Sequence, residues 1–145
     1  MWQEIASACS NTKTMEKLIL TDAVWKQKLS TEAYHVLRNK GTERAFTGQY
    51  HDCDGKGVYV CAACKNPLFS SAHKFDSGTG WPSFWAPISR QAMVLKDDCA
   101  LVMKRIEITC ARCDSHLGHV FADGPPPTYQ RYCINSVALK LIRDE

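Results

Sequence analysis

The sequence predicts a mainly antiparallel β domain entered through two or three short helices, and three observations carry that reading. Glycine and proline punctuate the chain densely after Gly41, at Gly48, Gly55, Gly57, Pro67, Gly78, Gly80, Pro82 and Pro87. The apolar runs between them are short, as in Val58-Tyr59-Val60 and Ala100-Leu101-Val102-Met103, the length of strands and too brief for helices. Elsewhere the pattern alternates: Ile106 and Ile108 are separated by charged or polar residues, and residues 131–142 keep a two-residue period well enough to form one strand.

The elements follow in order. Residues 1–20 show no sustained apolar period and are expected to form a mobile arm ahead of a single domain over 21–145. Thr21 or Asp22 can cap a helix carrying Val24, Trp25 and Leu29; Ser30 can cap a second carrying Tyr34, Val36 and Leu37, with Gly41 as its stop. Gly124-Pro125-Pro126-Pro127 must be a loop, because proline has no N–H to give a ladder.

A chain of 145 residues with 45% hydrophobic and 10% aromatic content can bury a core, which excludes general disorder. Eighteen Lys and Arg against 15 Asp and Glu leave +3, too small a balance to argue for nucleic acid or acidic lipid. No apolar run reaches the roughly 18 residues that span a bilayer, and the first thirty residues lack a signal-peptide pattern. The expectation is a soluble cytoplasmic monomer without nucleic-acid or membrane partners, organelle targeting being left open.

Eight cysteines, at 9, 53, 61, 64, 99, 110, 113 and 133, are the informative excess. They fall below the roughly 8–10% that marks a disulfide-stapled secreted scaffold. Cys61-Ala62-Ala63-Cys64 and Cys110-Ala111-Arg112-Cys113 are two C-x-x-C turns, and four thiolates complete a tetrahedron around one ion. One structural Zn²⁺ per chain is therefore expected, with no open position for substrate. Two disulfides or a redox C-x-x-C are the alternatives, and His116 can stand in for one thiolate. The long stretch between the pairs argues against a small nucleic-acid finger.

Cys133 lies in Arg131-Tyr132-Cys133-Ile134-Asn135-Ser136, where a strand would aim Arg131 and Cys133 to one face and let the cation favour the thiolate. An inert cysteine packed as a small hydrophobe is the bland alternative. His116-Leu117-Gly118-His119 offers two imidazoles as an acid/base pair, with Gly118 allowing a bend that turns both toward one cavity, or else two structural histidines. Ser77-Gly78-Thr79-Gly80-Trp81-Pro82-Ser83-Phe84-Trp85 displays an aromatic wall suited to a small apolar group, or a packing corner.

Together these stretches, with Gly41-Thr42-Glu43-Arg44, resemble the methionine sulfoxide reductase B family from about Thr21 to Ile142, both C-x-x-C pairs standing in the family's order. The resemblance implies two antiparallel sheets forming a zinc-stapled barrel or tent, with helices packed at the N-terminal side. It also implies thiol-dependent reduction of methionine-R-sulfoxide, free or in protein, to methionine. Cys133 would be the nucleophile, left as a sulfenic acid. His119 would protonate the sulfoxide oxygen, assisted by His116 and a water, while Asn135 and Arg131 orient the site and favour the thiolate. Trp81, supported by Phe84 and Ser83, would bind the substrate's methyl group.

The sulfenic acid is expected to condense with a second thiol to a disulfide that thioredoxin reduces. Thr79 stands where many members carry that resolving cysteine. The candidates are then Cys53 in the turn around Asp52 and Asp54, Cys9 on the arm and Cys99 near Asp98, with direct reduction as the remaining route. Ala122 and Tyr129-Gln130 also depart from the family pattern. A zinc-knuckle binding module would share the four cysteines but need neither Cys133 nor the paired histidines; a redox sensor would use Cys133 without turnover.

Overall fold

The computed structural model describes residues 18–46, 48, 50, 55–98 and 105–143. Most of the expected arm, the Ala100–Met103 run and the resolving candidates Cys9, Cys53 and Cys99 lie outside the described residues.

Both helix caps form as the sequence indicates. Thr21 Oγ1 accepts from the Val24 N–H and starts α1 (Asp22–Lys28); Ser30 Oγ accepts from the Ala33 N–H and starts α2 (Thr31–Asn39). The stop differs in detail. Lys40, at φ 58°, takes the left-handed turn, and the exposed His35 ring rests over Gly41, 2.2 Å from where a Cβ would stand, so a larger residue there would push the ring aside. The helices bury Trp25, Ala33, Val36 and Leu37.

Among the described residues nine strands follow: β1 (Gly57–Cys61), β2 (Pro67–Ser70), β3 (Lys74–Phe75), β4 (Ser83–Phe84), β5 (Met93–Asp98), β6 (Arg105–Cys110), β7 (His116–Phe121), β8 (Arg131–Ile134) and β9 (Leu139–Arg143). They form two antiparallel sheets, one ordered β9-β1-β2 and the other β3-β4-β8-β7-β6-β5. The expected mainly β, two-sheet fold behind two helices is the one observed.

Residues 131–142 are not one strand. Strand β8 ends at Ile134, and a 3-10 turn at Ser136–Ala138 carries the chain from the larger sheet to the smaller. One tight turn preserves an apparent two-residue period on either side of itself, so the break is invisible to a periodicity count. Aromatic side chains join the sheets: Phe69 of β2 stacks on Phe84 of β4 at 4.2 Å, and Tyr59 of β1 meets Phe84 edge-on at 5.2 Å. Gly124-Pro125-Pro126-Pro127 is a loop, closed by the Tyr129 N–H donating to the Pro125 carbonyl. Among the described residues no helix is long and apolar enough to cross a membrane.

Candidate active site

Each C-x-x-C closes a turn of the same shape. Cys61 ends β1 and Cys110 ends β6; the Lys65 N–H donates to the Cys61 carbonyl and the Asp114 N–H to the Cys110 carbonyl, both at 2.8 Å. Lys65 (φ 68°) and Asp114 (φ 62°) both adopt the left-handed conformation that lets the chain leave the turn. The two knuckles face each other, with Cys61 and Cys113 sulfurs 3.7 Å apart and those of Cys64 and Cys110 at 3.5 Å. All four sulfurs lie within 4.8 Å of one another. A tetrahedron with metal–sulfur bonds of about 2.3 Å has edges of about 3.8 Å, so the spacing fits a four-thiolate metal site, whereas a disulfide requires about 2.05 Å.

Hydrogen bonding with Cys110 pushes the Cys61 and Cys64 thiols above the ordinary range and holds Cys113 below it, the behaviour of thiols crowded around a shared centre. Arg38 of α2 donates to the Cys113 carbonyl at 2.7 Å and Arg112 to the Cys64 carbonyl at 2.7 Å, tying the knuckles to the helices and to each other. His116 is not part of this cluster.

A second constellation is built by sheet register. Directly opposed residues of antiparallel strands share a face. Ser83 on β4 opposes Cys133 on β8, Cys133 opposes His119 on β7, and His119 opposes Glu107 on β6. A row of four polar side chains therefore crosses the larger sheet. His116 joins it through a bulge: Ile108 pairs with Gly118 but Thr109 pairs with His116, leaving Leu117 unpaired. The extra residue reverses the alternation and puts both imidazoles on one face. Gly118 permits close strand approach, because a Cβ there would lie 2.0 Å from the Cys133 carbonyl oxygen.

Cys133 and His119 open onto a cavity of about 250 Å³ whose lining also includes Trp81, Phe121, Arg131, Asn135, Thr42 and Thr79. The Trp81 Nε1–H donates to the Glu43 carbonyl at 3.0 Å, and the Glu43 N–H donates to Asn135 Oδ1 at 3.0 Å. Asn135 Nδ2 in turn donates to the Leu117 carbonyl at 3.1 Å, so one amide clamps both the bulge and the segment that holds the indole. Arg131 makes a two-pronged pair with Asp123, at 2.9 and 3.2 Å, and lies 4.5 Å over the Phe121 ring.

His116 does not line the cavity. It is buried, with Nδ1 2.8 Å from Glu107 Oε2, and its ring centre is 5.3 Å from that of His119. Ser83 and Phe84 do not line it either: both are fully buried, Phe84 in the aromatic core and Ser83 bonded to Ser77 Oγ at 2.7 Å. Adjacent on β4, they point to opposite faces, Phe84 into the aromatic core and Ser83 to the side of Cys133, where its hydroxyl also donates to the Trp81 carbonyl at 3.1 Å.

Sequence reasoning did not find Glu107 or Phe121, nor the contact of Thr79 with the Cys133 thiol. Their placement depends on partners far away in the chain. Glu43 was visible as part of a motif, but its use as a bridge between Trp81 and Asn135 was not.

Burial pushes the Cys133 thiol above its ordinary pKa; the Arg131 charge and a hydrogen bond with Thr79 pull it down without prevailing. The pull of Arg131 is toward the thiolate, and desolvation outweighs it. Alkylation of Cys133 by iodoacetamide should accordingly be slow at neutral pH and climb as pH rises through a midpoint above that of a free thiol. Arg131→Leu should move that midpoint higher; a midpoint unchanged in the variant would exclude the charge effect.

Residues 29–143 match the family model described as the SelR domain. Three curated relatives carry the name peptide methionine sulfoxide reductase MsrB. The Hahella chejuensis protein is 54% identical over 126 residues, 87% of this chain and 91% of the relative. That of Thiobacillus denitrificans is 60% identical over 119 residues, covering 82% and 90%. The Methanosarcina mazei protein is 56% identical over 129 residues, covering 89% and 92%. The chain belongs to the methionine sulfoxide reductase B family. The stretches that carry the likeness to this reductase family converge on the one cavity, which takes Thr42 from the first, Thr79 and Trp81 from the second, His119 from the third and Cys133 with Asn135 from the last.

Proposed function

We propose that the chain reduces methionine-R-sulfoxide, in proteins or free, to methionine, with Cys133 as nucleophile and His119 as acid. The observation that carries this reading is the cross-strand pairing of Cys133 with His119 at a cavity that Trp81 also lines. The Cys133 sulfur attacks the sulfoxide sulfur while His119 gives a proton to the sulfoxide oxygen, because an oxide ion is a poor leaving group. That attack joins the two sulfurs. The protonated oxygen then passes as hydroxyl from the methionine sulfur to the Cys133 sulfur as the S–O and S–S bonds to the methionine sulfur break. Methionine departs with an electron pair on its sulfur, and Cys133, oxidised by two electrons, is left as a sulfenic acid. Trp81 holds the methyl group against its face; exchanging methyl and oxygen, as in the other epimer, would put the polar atom on the indole.

The sulfenic acid then condenses with a second thiol, losing water, and a thioredoxin dithiol reduces the disulfide by exchange. Cys53 is the first candidate, Cys9 and Cys99 the others. The described cysteines besides Cys133 are those of the four-sulfur cluster. That cluster is proposed to hold one Zn²⁺, which would staple the knuckles and, with its coordination filled, touch no substrate. The working unit is a cytoplasmic monomer.

The test is to incubate the protein with each epimer of methionine sulfoxide and dithiothreitol and to quantify methionine. Repeated turnover of the R epimer with little from the S epimer is expected. Release from neither epimer would defeat the proposal, and equal release would remove the role given to Trp81.

A further inference from the structure

Glu107 is buried yet acidic, takes no part in the steps above, and stands in the same row as the reacting groups, beside His119 on the side away from Cys133. Both carboxylate oxygens are engaged: Oε2 is 2.8 Å from His116 Nδ1, and Oε1 is 3.3 Å from Nζ of Lys40 at the end of α2. Burial holds the His116 pKa below the ordinary imidazole range despite the carboxylate beside it. A neutral ring against a carboxylate must carry its proton on the near nitrogen, so the hydrogen-bond network assigns His116 the Nδ1–H tautomer and leaves a lone pair on Nε2. The His119 ring lies 5.3 Å away, inclined at 65° in an edge-to-face contact.

We propose that Glu107 is a positioning residue: by fixing the His116 tautomer it turns a lone pair, and not an N–H, toward the neighbouring His119 ring and so orients His119 for proton transfer. The inference rests on the reading of His119 as the acid. The proton delivered to the sulfoxide oxygen comes from His119, and His116 keeps its Nδ1 proton throughout. The charged and titratable groups acting on His116 are Glu107 from β6, His119 from its own strand and Lys40 from the end of α2. Arg38 of α2 is turned instead to the Cys113 carbonyl and the Ser115 hydroxyl.

Glu107→Gln tests this in the full-length, metal-loaded protein. The variant keeps the shape of the side chain. Lys40 draws the amide oxygen to its own side, which leaves the amide NH₂ facing His116 Nδ1. That nitrogen must then supply a lone pair, so the ring changes to the Nε2–H tautomer and meets His119 as a donor. Nitrogen-15 NMR of labelled histidines should show His116 as Nδ1–H in the wild type and Nε2–H in the variant. With methionine-R-sulfoxide and dithiothreitol, kcat should fall about tenfold while KM changes less than about twofold, the size seen when the partner of a working histidine is lost.

An Nε2–H tautomer in the wild type would overturn the proposal, as would a change of tautomer that leaves kcat untouched. If the variant does not fold, the wild-type spectrum alone still decides the assignment. A wild type that forms no methionine would instead defeat the functional reading, and the spectrum, which needs no substrate, would still judge the Glu107 contact.

Discussion

Cys133→Ser is expected to abolish methionine formation from methionine-R-sulfoxide, by at least about 10³-fold in kcat/KM, while the fold survives. A serine hydroxyl is a weak nucleophile at neutral pH, and its oxygen cannot accept the two-electron oxidation that sulfur takes up. The change is also gentle structurally. Cys133 lines an open cavity, its backbone pairing with His119 and Ser83 makes no demand on the side chain, and Ser is close to Cys in shape. Circular dichroism and the thermal midpoint should therefore stay near wild type as activity vanishes. Residual turnover above about 1% of wild type would move the chemistry to another group.

Stripping the metal should have the largest effect on stability. Apparent binding energies of structural zinc reach about 10–16 kcal/mol, comparable with the roughly 5–15 kcal/mol that keeps a whole domain folded. Here the four sulfurs lock the end of β1 to the end of β6, and the turns they close are gripped by Arg38 and Arg112. Without a cation, four sulfurs within 4.8 Å must share protons in a buried space. Protein purified without chelators should contain one zinc per chain by elemental analysis. Cys110→Ser, or a strong chelator, should lower the thermal midpoint by tens of degrees or abolish the cooperative transition. A zinc content near zero in well-folded protein would refute the staple.

Local signals read well from the sequence. Thr21 and Ser30 cap helices because a short hydroxyl side chain next to an amphipathic run has few other uses, and the two C-x-x-C turns announce their shared site by spacing alone. Arg131 and Cys133 line the same cavity because two residues apart on a strand means one face. Register is where legibility ends. The bulge at Leu117 depends on which residues of β6 lie opposite, and only it puts His116 on the face of His119. Glu107 meets His116 for the same reason, so nothing local marked it.

Burial was likewise hidden. Phe84 and Ser83 belong to a stretch that reads as a displayed wall, yet packing of Phe69 and Tyr59 from the other sheet draws Phe84 into the core. Desolvation of Cys133 has the same origin: the helpful neighbour, Arg131, is legible two positions away, whereas the elements that exclude water come from across the fold.

The most direct measurement is to map, by mass spectrometry, the sulfur oxidised in one turnover without reductant. After reaction with methionine-R-sulfoxide and release of one methionine per chain, the oxidation should be found on Cys133, as a trapped sulfenic acid or as a disulfide to one of Cys53, Cys9 and Cys99. Methionine release that leaves the Cys133 thiol free and unmodified would contradict the assignment of that sulfur as the acceptor of the sulfoxide oxygen.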